Sequence, residues 1–213
     1  MKKESKVIVF TGGCFAGKTT TLDSVSTILT ANGKNVVYMN EYMRNKPIVS
    51  IDEIRSDPST YLKLQDEIVR LKMLRENEIF QLRDNVIALI DRAITDSLFY
   101  LLYYVDKSKM SLEDLKTYNN LIADAQKHAA FAFKNIYDYV AFFLPIEKIS
   151  DAGIYRPETV HITKYIESSV IGMLNYFYYY EHGNANMVYK TYNANIDDHF
   201  EIAKDISSWY IKL

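Results

Sequence analysis

Short runs of β-branched and aromatic residues recur along the chain between longer amphipathic stretches, and this pattern predicts alternating strands and helices. The runs are too short for helices, so we interpret them as buried parallel strands. They cover residues 6–11, 35–40, 86–91, 139–144 and 187–192. The amphipathic stretches predict helices over 20–32, 58–83, 95–105, from 111 onward, 158–181 and 197–211. Strands that alternate with helices predict an α/β fold, with a mostly parallel five-stranded sheet and helices on both faces.

Capping residues mark the expected ends of three helices. Gly33 is placed to end the first helix, because glycine readily adopts the left-handed conformation found just past a helix C-terminus. Asp57 followed by Pro58 is typical of an N-cap with proline at the first helical position. Ser111 with Asp114 resembles a capping box. These signals support the element boundaries that the hydrophobic pattern predicts.

A glycine-rich motif lies between the first predicted strand and the first predicted helix. It fits Gly-x-x-x-x-Gly-Lys-[Ser/Thr], and the flanking strand and helix are the context that a P-loop requires. Backbone N–H groups around the glycines and the helix N-terminus can cradle a polyphosphate. We therefore expect a nucleoside triphosphate to bind at Gly12, Gly13, Cys14, Phe15, Ala16, Gly17, Lys18, Thr19 and Thr20.

Two P-loop side chains have specific expected roles. Lys18 would reach the β- and γ-phosphates, and Thr19 would supply a hydroxyl to Mg²⁺. We expect the Lys18 ammonium to have no protein partner when nucleotide is absent. The cofactors that this motif predicts are therefore ATP and Mg²⁺.

Composition limits the classes of protein that the chain can be. Its 213 residues are 48% hydrophobic, which is enough to bury the core of one α/β domain spanning 1–213. The net charge of −2 provides no global basic field for non-specific binding of nucleic acid. Cys14 is the only cysteine, which excludes a disulfide within the chain. With no signal peptide or long apolar span in the sequence, we expect a reducing cytoplasm and no membrane span.

Two acidic residues follow predicted strands, as the P-loop does. Glu41 comes after the second strand, and Asp91 ends the third. Ligands of parallel sheets bind at the carboxyl ends of strands, so these acids are expected near the phosphates. A switch GTPase would carry Asp-x-x-Gly at its metal-side strand, whereas Asp91 is followed by Arg92, Ala93 and Ile94. A small-molecule kinase instead needs an acceptor pocket, a base near the acceptor hydroxyl, and arginines that stabilise the charge of the transferred phosphoryl group.

The segments that follow these strands resemble those of a kinase family. Residues 41–44, Glu-Tyr-Met-Arg, resemble the Glu-x-x-Arg signature of P-loop kinases related to the ribosylnicotinamide kinase domain. Residues 91–96 resemble the Asp-Arg-x-x-x-Asp segment of that group, and are similar to a motif of thymidylate and deoxynucleoside kinases. Residues 142–145 and 151–156 resemble the fourth strand and the arginine-bearing lid. The resemblance covers about 6–181 and implies a P-loop NTPase three-layer sandwich.

The resemblance also implies roles for individual residues. Glu41 is the candidate general base for the acceptor hydroxyl, and Asp91 would hold hydrated Mg²⁺ directly or through water. Arg92 is interpreted as orienting Glu41, contacting an acceptor phosphate, or forming a structural ion pair. Arg44 and Asp96 are candidates for shaping the acceptor site.

A further arginine is expected on a lid, which we define as residues 147–158. Arg156 would stabilise the charge of the transferred phosphoryl group in cis. Tyr155 is an extra residue before this arginine relative to the family pattern. The histidines show no metal-ligand spacing, and we interpret them as structural or surface residues; they are His128, His161, His182 and His199.

These observations predict an ATP- and Mg²⁺-dependent phosphotransferase that acts on a nucleoside, nucleotide or related ribosylated small molecule. Two alternatives remain open at this stage. One is a kinase that acts on nucleic acid, at a polynucleotide end or a modified base, which the slightly acidic pI of about 6.1 disfavours. The other is a nucleotide-dependent switch or lipid-binding regulator on the same fold. A homodimer is compatible with the sequence.

Overall fold

The computed structural model describes residues 5–12, 16–39, 57–82, 85–104, 106–144, 168–180, 187–193 and 198–211. Its strands form one five-stranded sheet in the order β2-β3-β1-β4-β5, and every pair of neighbours is parallel. The strands are β1 (Lys6–Gly12), β2 (Asn35–Met39), β3 (Val86–Asp91), β4 (Tyr139–Phe143) and β5 (Val188–Tyr192). This sheet confirms the predicted architecture.

Helices connect and cover these strands. They are α1 (Lys18–Ala31), α2 (Pro58–Gln81), α3 (Ile94–Tyr104), α4 (Leu112–Asn135), α5, described over 168–175 and continued by a π-helix at Tyr176–Tyr180, and α6 (His199–Ile211). A short 3₁₀ helix at Lys107–Lys109 joins α3 to α4. Among the residues listed above, no helix is long and apolar enough to cross a membrane.

Alternate residues of each central strand face opposite helical layers. Val7 and Val9 of β1 pack with residues of α2, α3, α4 and α5 in one apolar cluster. Ile8 and Phe10 pack on the other face with residues of α1 and α6. Both faces of β1 are therefore dry, which explains why its sequence is a continuous apolar run. The result is a three-layer sandwich, with the carboxyl ends of the parallel strands along one edge.

The predicted caps are confirmed. Gly33 has φ 73°, and its N–H donates to the carbonyl of Thr30 just past the end of α1. The Asp57 side chain accepts from the N–H of Thr60 at the start of α2. Ser111 and Asp114 form a reciprocal capping box at the start of α4.

Several predicted boundaries were wrong by one or two residues. The first helix begins at Lys18 and not at residue 20, because Gly17 in the left-handed conformation is its N-cap. β4 ends at Phe143, one residue early, and β5 begins at Val188, one residue late. α6 begins at His199 because Asp198 accepts the N–H of Phe200 and so precedes the first turn.

Candidate active site

The P-loop glycines have conformations and surroundings that few other residues tolerate. Gly12 has φ 120°, and a Cβ built there would overlap the backbone of Phe143 on the neighbouring strand, lying 2.8 Å from its nitrogen. Gly17 has φ 71° and turns the chain into α1. The glycines of the motif therefore serve the close packing of the sheet and the sharp entry into the helix.

Lys18 is the first residue of α1, and it is 6% exposed. Its ammonium donates to the carbonyl of Gly12 at 3.1 Å. The expectation that this ammonium has no protein partner without nucleotide was therefore wrong. A buried ammonium needs an acceptor, and the carbonyl at the start of the loop supplies one. This bond joins the first residue of α1 to the last residue of β1.

Thr19 and Asp91 meet where α1 begins and β3 ends. The Thr19 hydroxyl donates to Oδ2 of Asp91 at 3.4 Å, and Asp91 is 3% exposed. Mg²⁺ prefers hard oxygen ligands, and two adjacent ligands of its octahedral shell lie about 3 Å apart. The chemistry and separation of these two oxygens fit that ion. They are the residues that would hold Mg²⁺, directly or through water.

Arg92 is the non-glycine residue with positive φ among those described, at 72°. Its N–H donates to the carbonyl of Phe10 at 2.8 Å, so this turn continues the bonding between β1 and β3. The guanidinium lies 3.6 Å from Oδ1 of Asp96, donates to the hydroxyl of Tyr100 at 3.4 Å and stands over that ring. An arginine held in a costly conformation at a strand end is typical of functional sites.

Asp96 stabilises this turn by accepting two hydrogen bonds. Its Oδ2 accepts the Thr11 hydroxyl at 2.6 Å and the N–H of Ala93 at 2.8 Å. It is 2% exposed. The carboxylate thus ties the end of β1 to the start of α3, and it neutralises part of the Arg92 charge. A role in shaping the acceptor site would act through Arg92.

A buried polar network contacts the start of α3 beside this turn, and no local sequence pattern predicted it. The Tyr137 hydroxyl accepts from the N–H of Ile94 at 3.4 Å and donates to Oε1 of Glu76 at 2.7 Å. Oε2 of Glu76 lies 2.7 Å from Nε2 of His128. Burial raises the pKa of Tyr137 well above its usual value, and the Glu76 charge raises it further. The network joins α2, α4 and the start of α3.

His199 also lies at the site, although no local sequence pattern predicted this. Its ring lies against Gly17, and Nδ1 is 3.2 Å from Oγ1 of Thr21. The one available signal was its position just after β5, because connections that follow parallel strands reach the same sheet edge as the P-loop.

The structure brings together Gly12, Gly17, Lys18, Thr19, Asp91, Arg92 and Asp96 at this edge. Ala16 is buried beside them, and Thr20 is exposed one position further along α1. Other predicted site residues lie outside the described residues, namely Gly13, Cys14, Phe15, Glu41, Arg44 and Arg156, together with the lid. No cluster of three or more acidic, histidine or cysteine side chains suited to a metal occurs within the described ranges. The arrangement is suited to binding a polyphosphate with its Mg²⁺.

Comparisons with known proteins agree with this fold. Residues 7–179 match a family model described as an AAA domain. One similar solved structure is described as the crystal structure of NadR protein in complex with NR, with a TM-score of 0.63 and 16% sequence identity. The match covers 98% of this chain and 52% of that chain, so this chain spans about half its length. At that identity the likeness shows the fold alone. A search of curated proteins found no match.

Proposed function

The chain belongs to the AAA domain family, and from that premise we propose that it is an ATP- and Mg²⁺-dependent phosphotransferase. Its acceptor is a nucleoside, a nucleotide or a related ribosylated small molecule. The observation that carries the proposal is the contact of Thr19 with Asp91, with Lys18 before Thr19 in the chain and the constrained Arg92 after Asp91. These groups provide positive charge, metal-binding oxygens and a fixed guanidinium at one sheet edge, which phosphoryl transfer needs.

The acceptor class is supported by two further points. The Glu-x-x-Arg and Asp-Arg-x-x-x-Asp segments resemble those of kinases related to the ribosylnicotinamide kinase domain. The fold neighbour NadR is described as a complex with NR. This chain spans about half of that protein, so the match does not carry the activity of the whole protein to this chain. The lone cysteine, Cys14, supports a reducing compartment such as the cytoplasm.

In the proposed reaction, the acceptor oxygen forms a bond to the γ-phosphorus of ATP. The bond from that phosphorus to the β–γ bridging oxygen breaks, and ADP leaves. Glu41 takes the proton of the acceptor hydroxyl. Lys18 holds the β- and γ-phosphates, Arg92 orients Glu41 or contacts an acceptor phosphate, and Arg156 stabilises charge on the transferred group. Thr19 and Asp91 would hold Mg²⁺, which would supply charge neutralisation at the phosphates when bound.

The experiment measures ADP release from ATP with a panel of acceptors: nucleosides, nucleoside monophosphates, nicotinamide riboside and DNA ends. We expect release that depends on one small-molecule class and on Mg²⁺. Lys18→Met, which keeps the length of the side chain and removes its charge, should abolish most of it. Release that depends on DNA ends would favour a nucleic-acid kinase. ATP binding with no acceptor-dependent release would contradict phosphotransfer and favour a switch or regulator.

A further inference from the structure

His199 occupies the space beside the last glycine of the P-loop. A Cβ built on Gly17 would lie 2.6 Å from Nε2 and 2.7 Å from Nδ1 of the imidazole, which is an overlap. The ring therefore packs directly on the Gly17 backbone. Any side chain at residue 17 would displace it.

The same ring contacts the other end of the first turn of α1. Nδ1 of His199 is within hydrogen-bond distance of the Thr21 hydroxyl, at 3.2 Å, and Thr21 is fully buried. The N–H of Thr21 in turn donates to the Gly17 carbonyl at 2.9 Å. His199 thus touches both residues of the backbone hydrogen bond that closes this turn. Lys18 and Thr19 lie within it.

The ring is held by a rigid support. His199 is the first residue of α6, and Asp198 before it accepts the N–H groups of Phe200, through its side chain, and of Ile202, through its carbonyl. Ile202 and Ile206 are buried in the apolar cluster that α6 shares with α1. The packing of α6 against α1 therefore fixes the backbone from which the imidazole projects.

We propose that His199 is a positioning residue of the nucleotide site: it holds the first turn of α1 in the conformation that binds the phosphates. The proposal rests on nucleotide binding by the P-loop but not on phosphotransfer. A site that is already ordered loses less entropy when its ligand binds, so the contact contributes to affinity without touching the ligand. Loss of the ring should weaken ATP binding more than it slows turnover at saturating ATP.

The experiment measures the Kd of ATP with Mg²⁺, the KM for ATP and the kcat for His199→Ala, His199→Asn and His199→Gln. Asparagine places a polar atom near the position of Nδ1, whereas glutamine places one near Nε2. We expect His199→Ala and His199→Gln to raise Kd and KM about tenfold, the effect of one hydrogen bond, with kcat changed less than about twofold. His199→Asn should recover most of the affinity.

Two controls separate positioning from general stability. Phe200→Ala alters the adjacent, half-exposed residue of α6 and should leave Kd unchanged. Thr21→Val removes the hydroxyl partner, and combining it with His199→Ala should add little to either single change. If His199→Ala does not fold, the difference between the Asn and Gln variants decides the matter.

Three outcomes would overturn the proposal. They are wild-type Kd in His199→Ala, equal Kd in the Asn and Gln variants, and additive effects of His199→Ala and Thr21→Val. Failure of the nucleotide assignment itself would look different, because wild-type protein would then not bind ATP at all. Failure of phosphotransfer alone would leave the Kd comparison intact.

Discussion

The hydroxyl of Thr19 and Oδ2 of Asp91 lie 3.4 Å apart, although the two residues are 72 positions apart in the chain. Thr19 is the second residue of α1 and Asp91 ends β3, and the parallel pairing of β1 with β3 brings them together. Because Phe10 pairs with Asp91, the acid lies at the level where β1 enters the P-loop. The register of two strands therefore sets the spacing of the two oxygens proposed to hold Mg²⁺.

Asp91→Asn should weaken the response to Mg²⁺ more than it weakens ATP binding. The amide keeps the shape and removes the charge, so the Mg²⁺ concentration for half-maximal activity should rise about tenfold or more. A Mg²⁺ titration of ADP release measures this. Asp66→Asn, at an exposed ion pair with Arg70, is the matched control. An unchanged Mg²⁺ requirement in folded Asp91→Asn would remove Asp91 from the metal site.

Lys18→Met should lower both ATP affinity and turnover while the domain stays folded. The ammonium donates to the Gly12 carbonyl, and a hydrogen bond from a charged group contributes about 1.5–3 kcal/mol, which a folded domain can lose. The phosphates lose a buried positive charge, which matters far more in a site shielded from water. Calorimetric ATP binding and thermal unfolding test the two parts separately. Lys204→Met, on the exposed side of α6, should change neither, and equal ATP affinity in Lys18→Met would contradict the assignment.

Local sequence signals predicted the parts of this fold that depend on neighbours in the chain. The apolar run of β1 predicted a strand buried on both faces, and Asp57 with Pro58 predicted the start of α2. The P-loop predicted the positions of Lys18 and Thr19. In each case the residues that determine the structure lie within one turn or one strand of each other.

Such local signals could not predict contacts between segments that are distant in the chain. His199 and Thr21 are 178 residues apart, and Glu76 joins His128 and Tyr137 from a different helix. A lone histidine or a buried acid has no periodicity that would identify its partner. The left-handed φ of Arg92 was also missed, because an arginine, unlike a glycine, gives no local signal of that conformation.

Gly17→Ala and Gly33→Ala form a matched pair that separates backbone strain from overlap. Their φ values are 71° and 73°, but nothing lies within 4 Å of a Cβ at Gly33, whereas His199 would be overlapped at Gly17. Gly33→Ala should cost about 1–2 kcal/mol of unfolding free energy. Gly17→Ala should cost more, and it should also weaken ATP binding.

Denaturant unfolding and ATP titration of both variants test this comparison. The double variant Gly17→Ala with His199→Ala should regain part of the lost stability, because the overlap is removed while the strain at residue 17 remains. Equal costs at the two glycines would show that the imidazole can move aside without a loss of stability. That result would also weaken the case for His199 as a rigid support.

Alkaline pH should destabilise the protein through its buried tyrosines. Burial raises the pKa of Tyr139 to about 12, and burial also raises the pKa values of Tyr137, Tyr192 and Tyr210. The folded pKa lies above the unfolded value near 10, so the folded state holds the proton more tightly. This stabilisation is complete below pH 10 and is lost as pH rises from there through about 12.

Denaturant unfolding at several pH values, with tyrosinate absorbance as a second signal, measures this loss. Tyr139→Phe should reduce the slope of unfolding free energy against pH in that window. Tyr176→Phe, at a half-exposed ring, should leave the slope unchanged. A flat dependence through pH 12 in the wild-type protein would contradict the tight burial of these hydroxyls.

Glu41→Gln tests the proposed general base. The amide keeps the size of the side chain but cannot take the acceptor proton, so kcat should fall about 10²-fold or more. ATP affinity should change little, because Lys18 and the P-loop backbone hold the phosphates. Single-turnover ADP release with saturating acceptor, together with ATP titration, separates these effects. If ATP binding collapses while bound substrate turns over normally, Glu41 acts on the metal side or supports the structure. The base would then have to be sought among the other acids near the carboxyl ends of the strands.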